Sequence, residues 1–105
     1  MTTLYIAENP RDTLAAASML DTEDDDRHDR QIAEYARRYA TAAARVAPDA
    51  DVLVSEDAPK LGEHHRRNWA GLPVGSVERV DREDQVRELW QAIHDAVDTS
   101  DYDRW

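Results

Sequence analysis

Two short apolar segments each end in carboxylates, and that is where chemistry is first expected. Glu8 and Asn9 follow Thr3-Leu4-Tyr5-Ile6-Ala7, while Ser55, Glu56 and Asp57 follow Asp51-Val52-Leu53-Val54. If the two segments run side by side, these residues gather at the strand ends, where open α/β sheets take their ligands. Paired carboxylates there can hold a cation or move a proton in a hydrolytic step. Glu8, Glu56 and Asp57 are therefore the catalytic candidates, with His64 as an added general base. The plainer alternative is ordinary capping and turn chemistry. A dinucleotide site is not expected. The turn Glu8-Asn9-Pro10-Arg11-Asp12 has no glycine, Pro10 lacks an N–H, and Glu8 opposes an anion.

A basic cluster follows at Glu63-His64-His65-Arg66-Arg67, with Lys60 before it and Trp69 after it. Basic groups beside an aromatic ring can grip a phosphate backbone and stack a base. Adjacent histidines do not share a helical face, however, and His-Glu-x-x-His is absent. The chain carries a formal charge of −10, which steers nucleic acid away. The cluster is better read as a loop that pairs with the chain's own acidic segments. Asp24-Asp25-Asp26, with His28 and Asp29, lacks the glycine and distal glutamate of a calcium loop. Its charge suits a helix N-terminus instead. No serine sits in a nucleophile motif. No metal and no cofactor are expected.

The aromatic residues suggest contacts rather than catalysis. Trp90 falls on an apolar helical stripe and reads as core, with His94 beside it at the surface. Trp69 lies in a loop, and Tyr102 and Trp105 lie in an acidic tail. Trp69, Tyr102 and Trp105, with His65, Arg66 and Arg67, form the candidate interaction set, since aromatic and arginine side chains dominate binding hot spots. Tail residues folding back onto their own domain are the competing reading.

These groups must be positioned by a small scaffold. A length of 105 residues predicts one domain over 1–105, with 98–105 as a polar tail. Phe and Cys are absent, so the core must come from Ala, Val, Leu, Ile, Tyr and Trp. Without cysteine, disulfides and thiolate chemistry are excluded. Neither a secretory signal nor a membrane-length apolar run is present, which predicts a cytoplasmic protein. The excess of acid and of Arg over Lys fits a high-GC or salt-adapted host as well as it fits a function.

Residues 3–7 read as a strand. Asn9 and Pro10 then start a helix expected to run to Leu20, with Leu14, Ala17 and Ser18 on one face. The polar stretch 21–30 reads as a turn or the frayed start of the next helix. Ile32, Tyr35, Ala36, Tyr39, Ala43 and Val46 predict an amphipathic helix ending at Pro48. Residues 51–55 predict a second strand, joined to the first by a right-handed parallel crossover. Within 56–75 the chain is loop-rich, with one helical turn around Glu63–Trp69. Ser76-Val77-Glu78-Arg79-Val80 alternates and predicts a third strand, and Asp81 then caps a last helix carrying Val86, Leu89, Trp90, Ile93, Ala96 and Val97. The expected architecture is α/β: a three-stranded, mostly parallel sheet of order 2-1-3 with about three helices.

Two functions follow. One is a non-enzymatic interaction or regulatory module with an acidic surface, including a nucleic-acid mimic that occupies a basic partner. Its partner would be a protein, with direct nucleic-acid or membrane binding disfavoured and a homodimer through a sheet edge as one form. The other is a small enzyme or ligand-binding domain built on the strand-end carboxylates. Fold class alone does not choose between them.

Overall fold

The computed structural model describes residues 3–58 and 62–105. The elements run β1 (Tyr5–Glu8), α1 (Pro10–Ala16), α2 (Asp25–Val46), β2 (Asp51–Val54), α3 (Glu63–Arg66) and α4 (Val77–Asp95), then a 3-10 turn at Tyr102–Arg104. β1 and β2 pair in parallel, from Tyr5 opposite Asp51 to Glu8 opposite Val54, with α1 and α2 forming the crossover. The fold is thus α/β with a two-stranded parallel sheet and three helices of seven or more residues.

Each helix begins where its capping chemistry directs. The Asn9 side chain accepts the Asp12 N–H at 3.2 Å and Pro10 takes the first helical position. α1 stops at Ala16, four residues before the expected end at Leu20. Ser18 adopts a left-handed φ of 56°, and Met19 N–H bonds the Leu14 carbonyl at 2.8 Å. Ser18 N–H closes on Ala15 at 3.1 Å, completing a left-handed C-terminal cap. Glycine normally announces such a cap, and here serine stands in its place. Ala17 and Ser18 therefore face solvent, and only Leu14 of the expected face is buried.

The acidic stretch resolves into a turn and a helix start. Asp21 Oδ1 accepts the N–H groups of Glu23 and Asp24, and the Asp24 side chain accepts the Arg27 N–H at 3.1 Å. α2 then buries Ile32, Tyr35, Tyr39, Ala42 and Ala43. Val46, in its last turn, is exposed. Glu34 bonds Arg38 at 2.7 Å on the outer face, and Arg38 reaches on to Asp101.

The third strand expected over Ser76–Val80 is instead the opening of α4. The Ser76 side chain accepts the Arg79 N–H at 3.3 Å, and Val80 N–H bonds the Ser76 carbonyl at 3.0 Å. Asp81, expected as the cap, lies inside the helix. Val77 and Val80 fit a helical spacing of three as well as they fit alternation. No sheet buries them, and both remain exposed. Order 2-1-3 therefore reduces to β1 beside β2 among the described residues.

β1 is closed on its other edge by side chains rather than by a strand. Asn68 accepts the Tyr5 N–H at 2.7 Å and donates to the Tyr5 carbonyl at 2.6 Å. The Ala7 N–H donates to His65 Nε2 at 2.9 Å. α3 and the turn after it thus supply the hydrogen bonds that the missing strand would have made. Beneath lies one core, centred on Ile6, Leu14, Ile32, Tyr35, Tyr39 and Ile93. Each such side chain contributes roughly 1.5–3 kcal/mol on full burial.

Candidate functional site

α1 follows directly on the C-terminal end of β1, and α4 packs against the same strand. Between them opens a cleft of about 1320 Å³. Small side chains make the room: Ala15, Ala16 and Ala17 form part of one wall. Trp69, Val86 and Trp90 line it with apolar surface, while Glu8, Thr13 and His94 place polar groups in it.

Glu8 is the unusual member. It ends β1 with only 2% of its surface exposed. Thr13, one turn into α1, donates its hydroxyl to Glu8 Oε1. The other oxygen, Oε2, is fully buried and makes no hydrogen bond of ordinary geometry among the described residues, the Trp90 indole and the Asn9 backbone acting on the carboxyl more weakly. Desolvation pushes the Glu8 carboxyl up to about 7, and Asp12 adds repulsion; Thr13, the Trp90 indole and the Asn9 backbone pull less strongly the other way. A carboxyl with that balance is part acid and part base near neutrality, as proton-transfer and ligand-anchoring groups require.

The surroundings of Glu8 are aromatic. The Tyr35 and Tyr39 hydroxyls are both raised above their usual value, first by burial and then by the nearby Glu8 charge. Tyr35 shares a hydrogen bond of 2.6 Å with His94 Nδ1. The His94 ring stacks on Trp90 at 5.4 Å, nearly parallel. Glu8, Tyr35, His94 and Trp90 therefore form one continuous cluster from the core to the cleft.

The other strand-end carboxylates do not join it. Asn9 Nδ2 donates to the Glu56 carbonyl at 2.8 Å, tying the two strand ends together. Glu56 itself pairs with Arg11 at 2.8 Å, with both side chains about half exposed at 49% and 50%. Such a pair contributes about 0–1 kcal/mol. Asp57 and His64 line a separate depression of about 220 Å³. His64 Nε2 lies 3.1 Å from the Asp51 carbonyl, and its ring meets Tyr5 edge-on at 5.5 Å. Of the catalytic candidates, only Glu8 reaches the cleft.

The candidate interaction residues are largely engaged within the fold. His65 secures the β1 edge and also lines the cleft, Arg66 pairs with Glu63 at 2.9 Å, and Arg67 lies 5.4 Å over the Tyr5 ring. Lys60, upstream in the same cluster, lies outside the described residues. Trp69 is half-buried, with Arg79 at 5.9 Å over its ring. Trp105 keeps only 6% exposure: Arg38 lies 4.9 Å over its ring and its Nε1–H donates to Asp101 at 3.2 Å. Tyr102 packs edge-on against Trp105 at 5.6 Å and bonds the Met19 carbonyl. Residues 98–105 are thus bound to α2 rather than extended.

Thr13, Trp90 and His94 belong to the site and were not among the sequence candidates. The spacing of four between Trp90 and His94 was visible in the sequence. The apolar stripe of the last helix puts Trp90 in the core and leaves His94 at the surface, whereas both are partly buried and line the cleft. Among the described residues, no three His, Asp or Glu side chains converge as a metal site, and no helix is long and apolar enough to cross a membrane. No family model, curated protein or solved structure matches the chain.

Proposed function

We propose that this chain is a small-ligand-binding domain whose site is the cleft between α1 and α4. One observation carries the reading. An open cleft of about 1320 Å³, lined by Trp69, Val86 and Trp90, reaches the strand end that carries the buried Glu8. Concave apolar sites with a few polar groups are the usual form of small-molecule sites. The test fills the cleft. A16W projects an indole from an exposed wall position at little cost to α1. Fragment titrations monitored through the indole resonances should show saturable binding at Trp69 and Trp90 in the natural chain and none in A16W. Binding that survives A16W unchanged would refute the assignment.

The interaction-module reading keeps one supporting observation. Val74, Val77 and Val80 are 84%, 76% and 46% exposed around the start of α4, an apolar patch on an acidic surface. A protein partner docking there would lose affinity with V77D. Nucleic-acid mimicry would add a steep loss of binding with salt. A dimer through the sheet would have to use β2, because His65 and Asn68 occupy the β1 edge.

A further inference from the structure

We infer that the free edge of β2 takes an extended segment of a basic protein as an added strand, with lysine or arginine side chains against Asp49 and Asp51 and an apolar side chain against Leu53. This second site is separate from the cleft and from the valine patch of α4. It rests on the hydrogen-bond pattern of β2, its exposed side chains and its charge.

β2 offers unused backbone. The Asp51 N–H bonds the Leu4 carbonyl at 2.8 Å and the Ser55 N–H bonds the Glu8 carbonyl at 3.0 Å, so the odd-numbered residues of β2 face β1. In a parallel ladder the residues between them turn both N–H and C=O to the opposite side. Those residues are Val52 and Val54. Their side chains pack against the core, which holds the strand in place, while no described residue takes their outward backbone groups. The outer edge of β1 is different, because Asn68 and His65 already fill it at Tyr5 and Ala7. Proteins blunt an open edge with proline or a bulge. Asp51–Val54 contains no proline and pairs with β1 residue for residue.

Charge decides the occupant. The stretch 48–58 holds Asp49, Asp51, Glu56 and Asp57 and no basic residue. Glu56 pairs with Arg11, whereas Asp49, Asp51 and Asp57 are exposed and make no ion pair among the described residues. Asp51 and Leu53 point to the same face of the sheet, since side chains alternate along a strand. Leu53 is 41% exposed and lines the depression of about 220 Å³ with Ser55 and His64. An added strand therefore meets an acid and then an apolar side chain on one face. A segment that alternates a basic and an apolar residue at the same spacing matches both. A second copy of this chain does not. Pairing Val52 of one copy with Val54 of the other turns Asp49 of each towards Asp57 of the other, and each copy brings a net charge of −10. Like charges facing each other across a strand pair are destabilising.

Three acetylated, amidated heptapeptides test this against the full chain. The first reads Thr-Lys-Thr-Val-Thr-Lys-Thr, so that its lysines and valine share one face. The second replaces both lysines by glutamate. The third keeps the lysines and carries N-methyl groups on its three central residues, which removes the donors in either strand direction. Each is titrated while the amide resonances of the chain are recorded. The lysine peptide should bind saturably, shift the Val52 and Val54 amides most and slow their exchange. The N-methylated peptide, of equal charge, and the glutamate peptide should each bind about tenfold more weakly. In D49N/D51N, which alters two exposed side chains, the affinity for the lysine peptide should fall about fivefold. Equal binding of the N-methylated peptide would show attraction by charge without strand addition and overturn the inference, as would shifts centred on the cleft or on Val77. Equal binding of the glutamate peptide, or affinity unchanged in D49N/D51N, overturns the basic partner. A concentration-dependent dimer of the chain alone that protects the Val52 and Val54 amides makes a second copy the occupant. Absence of saturable binding by the lysine peptide up to millimolar concentration overturns the edge as a docking site.

Discussion

Replacing Glu8 by glutamine removes an ionisable group from the interior while preserving its shape. In the unfolded chain this carboxyl titrates near its ordinary 4.5, and burial in the fold raises it to about 7. Between those values the folded chain holds a proton that the unfolded chain has released. Stability therefore falls as pH rises through that window. Below the lower value both states are protonated and the penalty vanishes, whereas above the upper value it is fully present. At ~1.4 kcal/mol per unit the gap corresponds to about 3 kcal/mol. Glutamine cannot ionise and is spared this loss. Its amide carries a fixed cost wherever it lacks a partner, and that cost is the same at every pH. The useful quantity is therefore the change with pH in the stability difference between E8Q and the natural chain. Urea unfolding followed by circular dichroism at about pH 4.5 and about pH 8.5 should show that difference moving toward E8Q by about 3 kcal/mol. In thermal unfolding the same swing is roughly 12–15 °C for a domain of this size. A stability difference that is identical at the two pH values would refute the reasoning, because Glu8 would then be solvated or paired.

Three further substitutions test the scaffold. N68A strips the Tyr5 backbone of both its edge partners and should cost about 2–4 kcal/mol in urea unfolding, with faster amide exchange at Tyr5; a cost under ~0.5 kcal/mol would mean that water replaces the side chain freely. W105A removes a nearly buried indole stacked on Arg38 and should cost about 3 kcal/mol, whereas a free tail would cost nothing measurable. S18G relieves the left-handed φ of 56° at the α1 cap and should raise stability by about 1 kcal/mol in thermal unfolding. Destabilisation of the chain by S18G would show that the Ser18 hydroxyl contributes more than its backbone strain costs.

Much of the local structure was legible from residue order. Asn9-Pro10 fixed the start of α1, since side-chain capping and a preset φ act within a few residues. The spacing of Ile32, Tyr35, Tyr39 and Ala43 marked the buried face of α2, and the two apolar runs paired in parallel because a helical crossover of this length joins them. Signals of this kind are local or periodic, and they need no knowledge of what lies across the fold. The placement of Glu8 shows the limit. Its position after a strand made it a candidate, but Glu56 occupied an equivalent position on β2, and residue type could not separate them. Tertiary packing did so: Thr13, Tyr35 and Trp90 come from three helices to bury one carboxyl, while Arg11 leaves the other in solvent. The third strand failed for a related reason. Val77 and Val80 satisfy both periods, and the choice fell to the Ser76 cap and to His65 and Asn68, which had already taken the β1 edge. Where one backbone edge, one buried oxygen or one aromatic face has several chemically equal suitors along the chain, only the folded arrangement decides which of them reaches it, because that competition is settled by distances across the core rather than by spacing along the sequence.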